Sequence, residues 1–229
     1  MIPLLHDFTD ERVLVVGGGP VGARKARRFA AEAEVVVVSP AFADREFGAA
    51  QLVRAAPTPE SVHTWVTRTD PALVVTATDE DSVNEAAAAA AREAGALVNR
   101  ADGGTESAED GESEEREERE QSFDTVVVPA TVRDDPVTVA IATGGNSPAL
   151  SKHLREEFER EFADAGAMAE LTGTLREELK STDLSPTQRR EAVRNVVRAD
   201  EVWKALDSGR SKARHVAEDV IGYHPGDMS

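Results

Sequence analysis

Residues 13–30, VLVVGGGPVGARKARRFA, pass from four aliphatic residues through a glycine-rich turn into a basic helical pattern. An unbroken aliphatic run of this kind suits a strand buried on both faces of a parallel sheet. A helix pattern from about Val21 to Glu32 follows with no linker. Gly17-x-Gly19-x-x-Gly22 therefore stands where a strand hands over to a helix, the context in which this spacing holds a dinucleotide pyrophosphate. Gly17 allows the tight turn, Gly19 the close approach of phosphate, and Gly22 the packing of helix on strand. Pro20 and Val21 complete the turn, and the helix N-terminus supplies N–H groups and partial positive charge. The structural alternative is a tight turn that binds nothing.

Working outward, EVVVVSP (34–40), PALVVTATD (71–79) and GALVNRAD (95–102) read as further strands, and Ser82–Glu93 as an Ala-rich helix. The segment 43–68 resists assignment. Strands alternating with helices predict an α/β domain of the doubly wound, Rossmann-like kind, with ligands at the carboxyl ends of its strands. Strand two ends at Ser39-Pro40, where an acid commonly holds a ribose hydroxyl. A serine there is neutral and discriminates less against a 2′-phosphate, and Arg45 lies close enough in sequence to be a phosphate ligand. Motifs alone therefore leave the nicotinamide nucleotide open. In ATDEDSVN (77–84), Thr78 and Asp79 should face the cofactor, with a helix N-cap the alternative role for Asp79. In VNRAD (98–102), Asn99 and Asp102 should reach the same crevice. A carboxylate beside a nicotinamide can act as a general base or orient a substrate N–H; capping a loop is the structural alternative.

Residues 103–122 are low-complexity and acidic, with Ala108 the one apolar residue, which predicts a disordered insert; a solvated charged helix over 112–121 is the alternative. Strands 124–132 and 136–145, joined by RDDP, come next. A helix opens at Ser147-Pro148 as N-cap and first position, and further helices are expected over 166–180, from Ser185-Pro186, over 200–207 and over 210–221. The expected organisation is a nucleotide-binding domain over 1–123, a small α+β dimerisation domain over 124–165, and a helical domain over 166–229. ATGGNSPAL (142–150) is a second glycine turn from strand into helix. Thr143, Gly144, Gly145, Asn146 and Ser147 make an anion cradle, with Lys152, His153 and Arg155 on the helix behind it. One turn could hold the cofactor and the other a carboxylate-rich substrate.

Composition narrows the classes. A formal net charge of −17 argues against nucleic acid and anionic membrane as partners. No apolar run approaches the ~18 residues of a membrane span, and the N-terminus lacks the basic region of a signal peptide, so a cytoplasmic address is expected. The absence of cysteine removes disulfides and thiolate chemistry. His6, His63, His153, His215 and His224 show no metal-ligand spacing. Tyr223 is the sole tyrosine, so no Tyr-x-x-x-Lys pair for hydride transfer is present.

VLVVGGGPVGARKARR, ATDEDSVN, VNRAD and VVPATVRDDPVTVAIATGGNSPALSKHLRE, in that order across residues 2–160, resemble the precorrin-2 dehydrogenase family, the dehydrogenase/chelatase part of sirohaem synthase. The resemblance implies NAD-dependent oxidation of precorrin-2, an octacarboxylate tetrapyrrole, to sirohydrochlorin. It also implies a homodimer and, in some members, insertion of Fe²⁺ in the same cleft. The family's essential aspartate falls on Asp102, and its nucleotide contacts fall on Gly19-Pro20-Val21, on Ser39-Pro40-Ala41-Phe42 and on Thr78-Asp79. A serine that some members phosphorylate falls on Thr143. Ser39 is then a family trait, since this family does not need an acid at that strand end. The insert at 103–122 departs from shorter members, which pass quickly to SF and the next strand. From another class, a nucleotide-sensing regulatory subunit would also carry the first glycine turn. It would have no need of TGGNSPAL, and would bind nucleotide without turnover.

Acidic residues number 43 against 26 Lys and Arg, and lysine occurs only at positions 25, 152, 180, 204 and 212. This balance predicts adaptation to a high-salt interior. The melting temperature should rise between low and molar KCl; a value that stays level or falls overturns that expectation.

Overall fold

The computed structural model describes residues 2–100 and 126–223, so Asp102 and the expected disordered insert at 103–122 lie outside the described residues. The chain divides into two compact units, 1–128 and 129–229.

In the first unit, β1 (Arg12–Val16), β2 (Glu34–Ser39), β3 (Gln51–Arg54), β4 (Leu73–Thr76) and β5 (Leu97–Arg100) form one parallel sheet in the order β3-β2-β1-β4-β5. Helices α1 (Pro20–Phe29), α2 (Pro59–Thr69) and α3 (Asp81–Glu93) cover it on both sides. Successive residues of a strand face opposite ways. Accordingly Leu14, Val16, Val38, Val74 and Val98 pack with Val62 and Val66 of α2 and with Val83, Ala87 and Ala91 of α3. Val13, Val15, Val35, Val37, Leu73 and Val75 pack on the other face with Ala23, Ala26 and Phe29 of α1. Two-sided burial is why these strands read as unbroken aliphatic runs. The order changes direction between β1 and β4, which opens a crevice at their carboxyl ends.

The unassigned segment 43–68 contains β3 and α2. Three of the four β3 residues are exposed, because it is an edge strand with neither alternation nor a full apolar run to mark it. Helix α2 begins with a reciprocal cap between Thr58 and Ser61 and with Pro59 in its first turn.

In the second unit, β6 (Ala130–Asp134) and β7 (Val137–Ile141) pair antiparallel, and α4 (Pro148–Glu161) follows. The expected strand 124–132 is narrower at its start: Val126 donates to the Val98 carbonyl (2.7 Å), but the β6 ladder begins only after Pro129, which has no N–H to give. Arg133 and Asp134 belong to β6, so the turn is Asp135-Pro136 alone. Helices α5 (Ala165–Glu178), α6 (Pro186–Arg198), α7 (Asp200–Leu206) and α8 (Arg210–Ile221) enclose a separate core of Met168, Leu175, Val196, Val202, Leu206 and Ala213. Glu218 is buried within this unit, and Arg214 pairs with both Glu218 (2.9 Å) and Glu178 (2.8 Å).

Residues 124–165 and 166–229 were expected as separate domains, whereas 129–229 forms one unit. The reason lies at Gly166, whose N–H donates to the Asp134 carboxylate (2.7 Å). A β-carbon there would overlap the Asp135 carbonyl and come within 2.6 Å of the Asp134 carbonyl oxygen. The start of α5 thus lies directly against the end of the hairpin.

Two stability predictions follow from steric and charge crowding. A β-carbon on Gly22 would overlap the Gly17 carbonyl oxygen, so Gly22→Ala should destabilise by about 2 kcal/mol or more, read as an early melting transition. Asp164, at φ 67° before α5, has its carboxyl held above the usual range by desolvation and then by Asp207. The folded chain therefore binds that proton more tightly than the unfolded chain, and the full penalty is present at neutral pH and relieved as pH falls through the raised value. Asn tolerates the same backbone conformation, so Asp164→Asn should stabilise by roughly 0.5 kcal/mol, about 2 °C. The gain should shrink in acid; an equal gain at pH 3 and pH 7 contradicts the charge argument.

Candidate nucleotide site

The glycines after β1 are held apart by different neighbours. Gly17 has φ 120°, and a β-carbon there would overlap the Ala77 carbonyl oxygen at the end of β4. Its N–H donates to the Val38 carbonyl (3.0 Å), so the turn is tied to β2 and lies against β4 at once. Gly22 closes α1 onto the Gly17 carbonyl. Gly18, which the spacing rule leaves as a variable position, is also confined: a β-carbon would overlap the Ala41 carbonyl oxygen and lie 2.8 Å from the Ser39 β-carbon. Gly19 differs from all three, since a β-carbon there meets nothing within 4 Å. It is the N-cap of α1, no side chain caps that helix, and its first turn carries no acid. Gly17 and Gly22 shape the turn, and Gly19 leaves it open where helix N–H groups and partial positive charge converge. Pro20 and Val21 form the first turn of α1 beside it.

The end of β2 forms the next wall. Ser39 is buried, and Ala43 N–H reaches back to the Gly18 carbonyl (2.8 Å). Pro40, Ala41 and Phe42 therefore lie against the glycine turn. The Phe42 ring packs edge-on against Phe47 (5.7 Å between centroids), and the Arg54 guanidinium sits 5.6 Å from its centre. Arg54 also donates to the Pro40 carbonyl (3.1 Å). Arg45 was the expected basic residue here; it is Arg54, at the end of the neighbouring strand, that makes these contacts with the loop.

At the end of β4, Thr78 is tied down by Asn84, a fully buried residue of α3 that sequence reasoning missed. The Asn84 side-chain oxygen accepts from the Thr78 N–H (3.2 Å) and hydroxyl (2.9 Å), and its nitrogen donates to the Thr78 carbonyl (2.8 Å). Asp79 is exposed, and the N-cap of α3 is Glu80 rather than Asp79. At β5, the Asn99 amide nitrogen donates to the Val126 carbonyl (2.8 Å), so half of its side chain holds the returning chain. The Asn99 carbonyl oxygen and the Thr76 hydroxyl are buried without partners among the described residues. They belong to the adjacent strands β4 and β5 at the crevice end but, one residue out of register, face opposite sides of the sheet.

In the second unit, Gly144 and Gly145 have φ 63° and 80°, and the Thr143 hydroxyl bonds both the Ser147 carbonyl (3.0 Å) and Ser151 (3.0 Å). Asn146 N–H closes the turn on the Thr143 carbonyl (3.1 Å), and the Ser147 hydroxyl caps α4 by accepting from Leu150 (3.2 Å). These side chains therefore serve the loop itself. Lys152 pairs with Glu156 (4.0 Å), and Arg155 with Glu156 (3.7 Å) and Glu159, so the expected positive charge is partly neutralised along α4. Exposed pairs of this kind are worth about 0–1 kcal/mol each, little enough for a ligand carboxylate to replace the glutamate. Among the described residues, no group of three His, Cys, Asp or Glu is arranged to hold a metal ion, and no helix is long and apolar enough to cross a membrane.

A model of an NAD(P)-binding family matches residues 4–109, and the model described as sirohaem biosynthesis protein central matches residues 134–161. A precorrin-2 dehydrogenase of Methanosarcina barkeri is 27% identical, over 96% of this chain and 93% of its own length. Siroheme synthase 1 of Aeromonas salmonicida is 30% identical over 98% of this chain, but the chain spans only 45% of that protein's length. The solved structure of SirC, a precorrin-2 dehydrogenase, aligns with a TM-score of 0.62 at 21% identity, over 97% of this chain and all of the other, and so shares the fold. Two family models matched in order, with a relative alike along nearly its whole length, make this chain similar to the precorrin-2 dehydrogenases and siroheme synthases.

Proposed function

We propose that this chain oxidises precorrin-2 to sirohydrochlorin with NAD⁺, in the cytoplasm and as a homodimer. The observation that carries the reading is the open cradle at Gly19, in a chain similar along nearly its full length to a precorrin-2 dehydrogenase. The cradle suits a dinucleotide: an uncapped helix start and a neutral strand-two end at Ser39. When bound, NAD⁺ supplies the hydride acceptor. The chain's own residues do the rest. Gly19, Pro20 and Val21 receive the pyrophosphate, Ser39 to Phe42 bound the ribose, and Thr78, Asp79 and Asn99 edge the crevice. Oxidation removes a hydride and a proton from the macrocycle, and the proton goes to Asp102, two residues after β5 in the sequence, as the family resemblance implies. Thr143 to Ser147, with Lys152 and Arg155, would receive substrate carboxylates. Helix α4 supports the dimer, since none of its residues is buried and Leu150 is exposed.

Asp102→Ala should lower kcat for NADH formation with precorrin-2 by about 100-fold or more while NAD⁺ affinity changes less than twofold. Retention of most activity removes Asp102 from the chemistry. Gly19→Ala should melt close to the parent protein yet bind NAD⁺ poorly. Binding of NAD⁺ with no turnover of precorrin-2 in the parent protein would favour a nucleotide sensor instead.

A further inference from the structure

The end of the nucleotide crevice beyond β2 has an unusual charge. Ser39 stands where an acid would exclude a phosphate on the ribose, and it pairs in register with Arg54 across β2 and β3. Register partners in parallel strands share a face of the sheet, so the serine and the arginine are neighbours at one corner. The Arg54 side chain leans across this corner, with one guanidinium nitrogen on the Pro40 carbonyl and its plane near the Phe42 ring. No carboxylate of the described residues lies within ion-pair distance of it, although acids outnumber bases in this chain by 43 to 26. Arg54 is exposed, and its remaining N–H donors are not used by any described residue.

We infer that Arg54, with Ser39, forms a subsite for a 2′-phosphate, so that the crevice accepts NADP⁺ as well as NAD⁺ and Arg54 sets the ratio between them. The inference rests on the nicotinamide-nucleotide reading of the crevice given above. A planar guanidinium presents two parallel N–H donors to a phosphate, and the cost of ordering it is already reduced by the Pro40 and Phe42 contacts. The Ser39 hydroxyl adds a donor and, unlike a carboxylate, brings no repulsion. Arg45, two residues past Ala43 in the adjoining loop, makes no such anchored contact.

Calorimetric titration of the full chain with NAD⁺ and with NADP⁺, at one fixed KCl concentration, tests this without reference to turnover. The parent protein should bind NADP⁺ with a Kd no more than about fivefold above that of NAD⁺. Arg54→Ala should raise the NADP⁺/NAD⁺ ratio of Kd values at least tenfold, and Arg54→Lys, which keeps the charge and loses the fork, should fall between. Ser39→Asp should raise the ratio too. NAD⁺ binding in the two Arg54 variants reports that the cradle is folded. Ratios that stay unchanged in Arg54→Ala and Arg54→Lys overturn the subsite, as does a parent protein that binds NAD⁺ and rejects NADP⁺ by more than 100-fold. A parent protein that binds neither nucleotide overturns the underlying reading and the subsite together.

Discussion

A methyl group at Gly17 would collide with the Ala77 carbonyl, and one at Gly22 would collide with the Gly17 carbonyl. Three pieces of backbone, from the ends of β1 and β4 and the first turn of α1, are thus stacked closer than side chains allow. Interiors pack at crystal-like density, so this contact fixes both the height of α1 above the sheet and the position of its N-terminus relative to β4. Everything in the crevice takes its place from there. The loop after β2 folds back on Gly18, Thr78 is bracketed by Asn84, and Gly19 is left with open space beside an uncapped helix. The same approach that closes the fold leaves the binding surface exposed, because the three confined glycines, Gly17, Gly18 and Gly22, and the open one, Gly19, share a single turn.

The second unit depends on a comparable economy of volume. Gly166 lets α5 rest on the end of the β6–β7 hairpin, and Asp134 accepts the freed N–H. Helix α4, in contrast, has no fully buried residue: it rests half-buried on β6 and β7 and carries its Ser147 cap and glutamate pairs. Packing rather than propensity usually stabilises helices in proteins. The outer side of α4, with Leu150 exposed, is therefore a surface of this unit with more apolar area to gain by being covered.

How much of this could be read in the sequence depended on whether the cause was local. The aliphatic runs, the strand-to-helix glycine turn and the Ser-Pro starts of α4 and α6 are local, and each lies where it was expected. Thr58-Pro59 is the same signal at α2 and was passed over, because the helix it begins follows an exposed edge strand. What stayed hidden was tertiary. Gly18 matters through a carbonyl 23 residues away, Asn84 through a loop six residues behind it, and Gly166 through a turn 31 residues before it. Arg54 and Ser39 are brought together by strand register, whereas sequence proximity pointed to Arg45. Asn99 faces the crevice end of β5 as expected, yet its amide nitrogen serves the backbone at Val126, a partner that no spacing rule announces.

That bond at Val126 has a further consequence. Val126 is gripped twice, by the Val98 carbonyl through its N–H and by Asn99 through its own carbonyl, so the chain that leaves β5 at Arg100 returns to the same strand. The described residues on either side of 101–125 are thus both tied to β5. Closing a loop between fixed ends grows costlier only with the logarithm of its length, about 0.6 kcal/mol for each doubling. An acidic stretch of any composition can therefore lengthen there while the sheet register stays where it is. The anchoring of Val126 on β5 therefore keeps the sheet register independent of the length of chain between them.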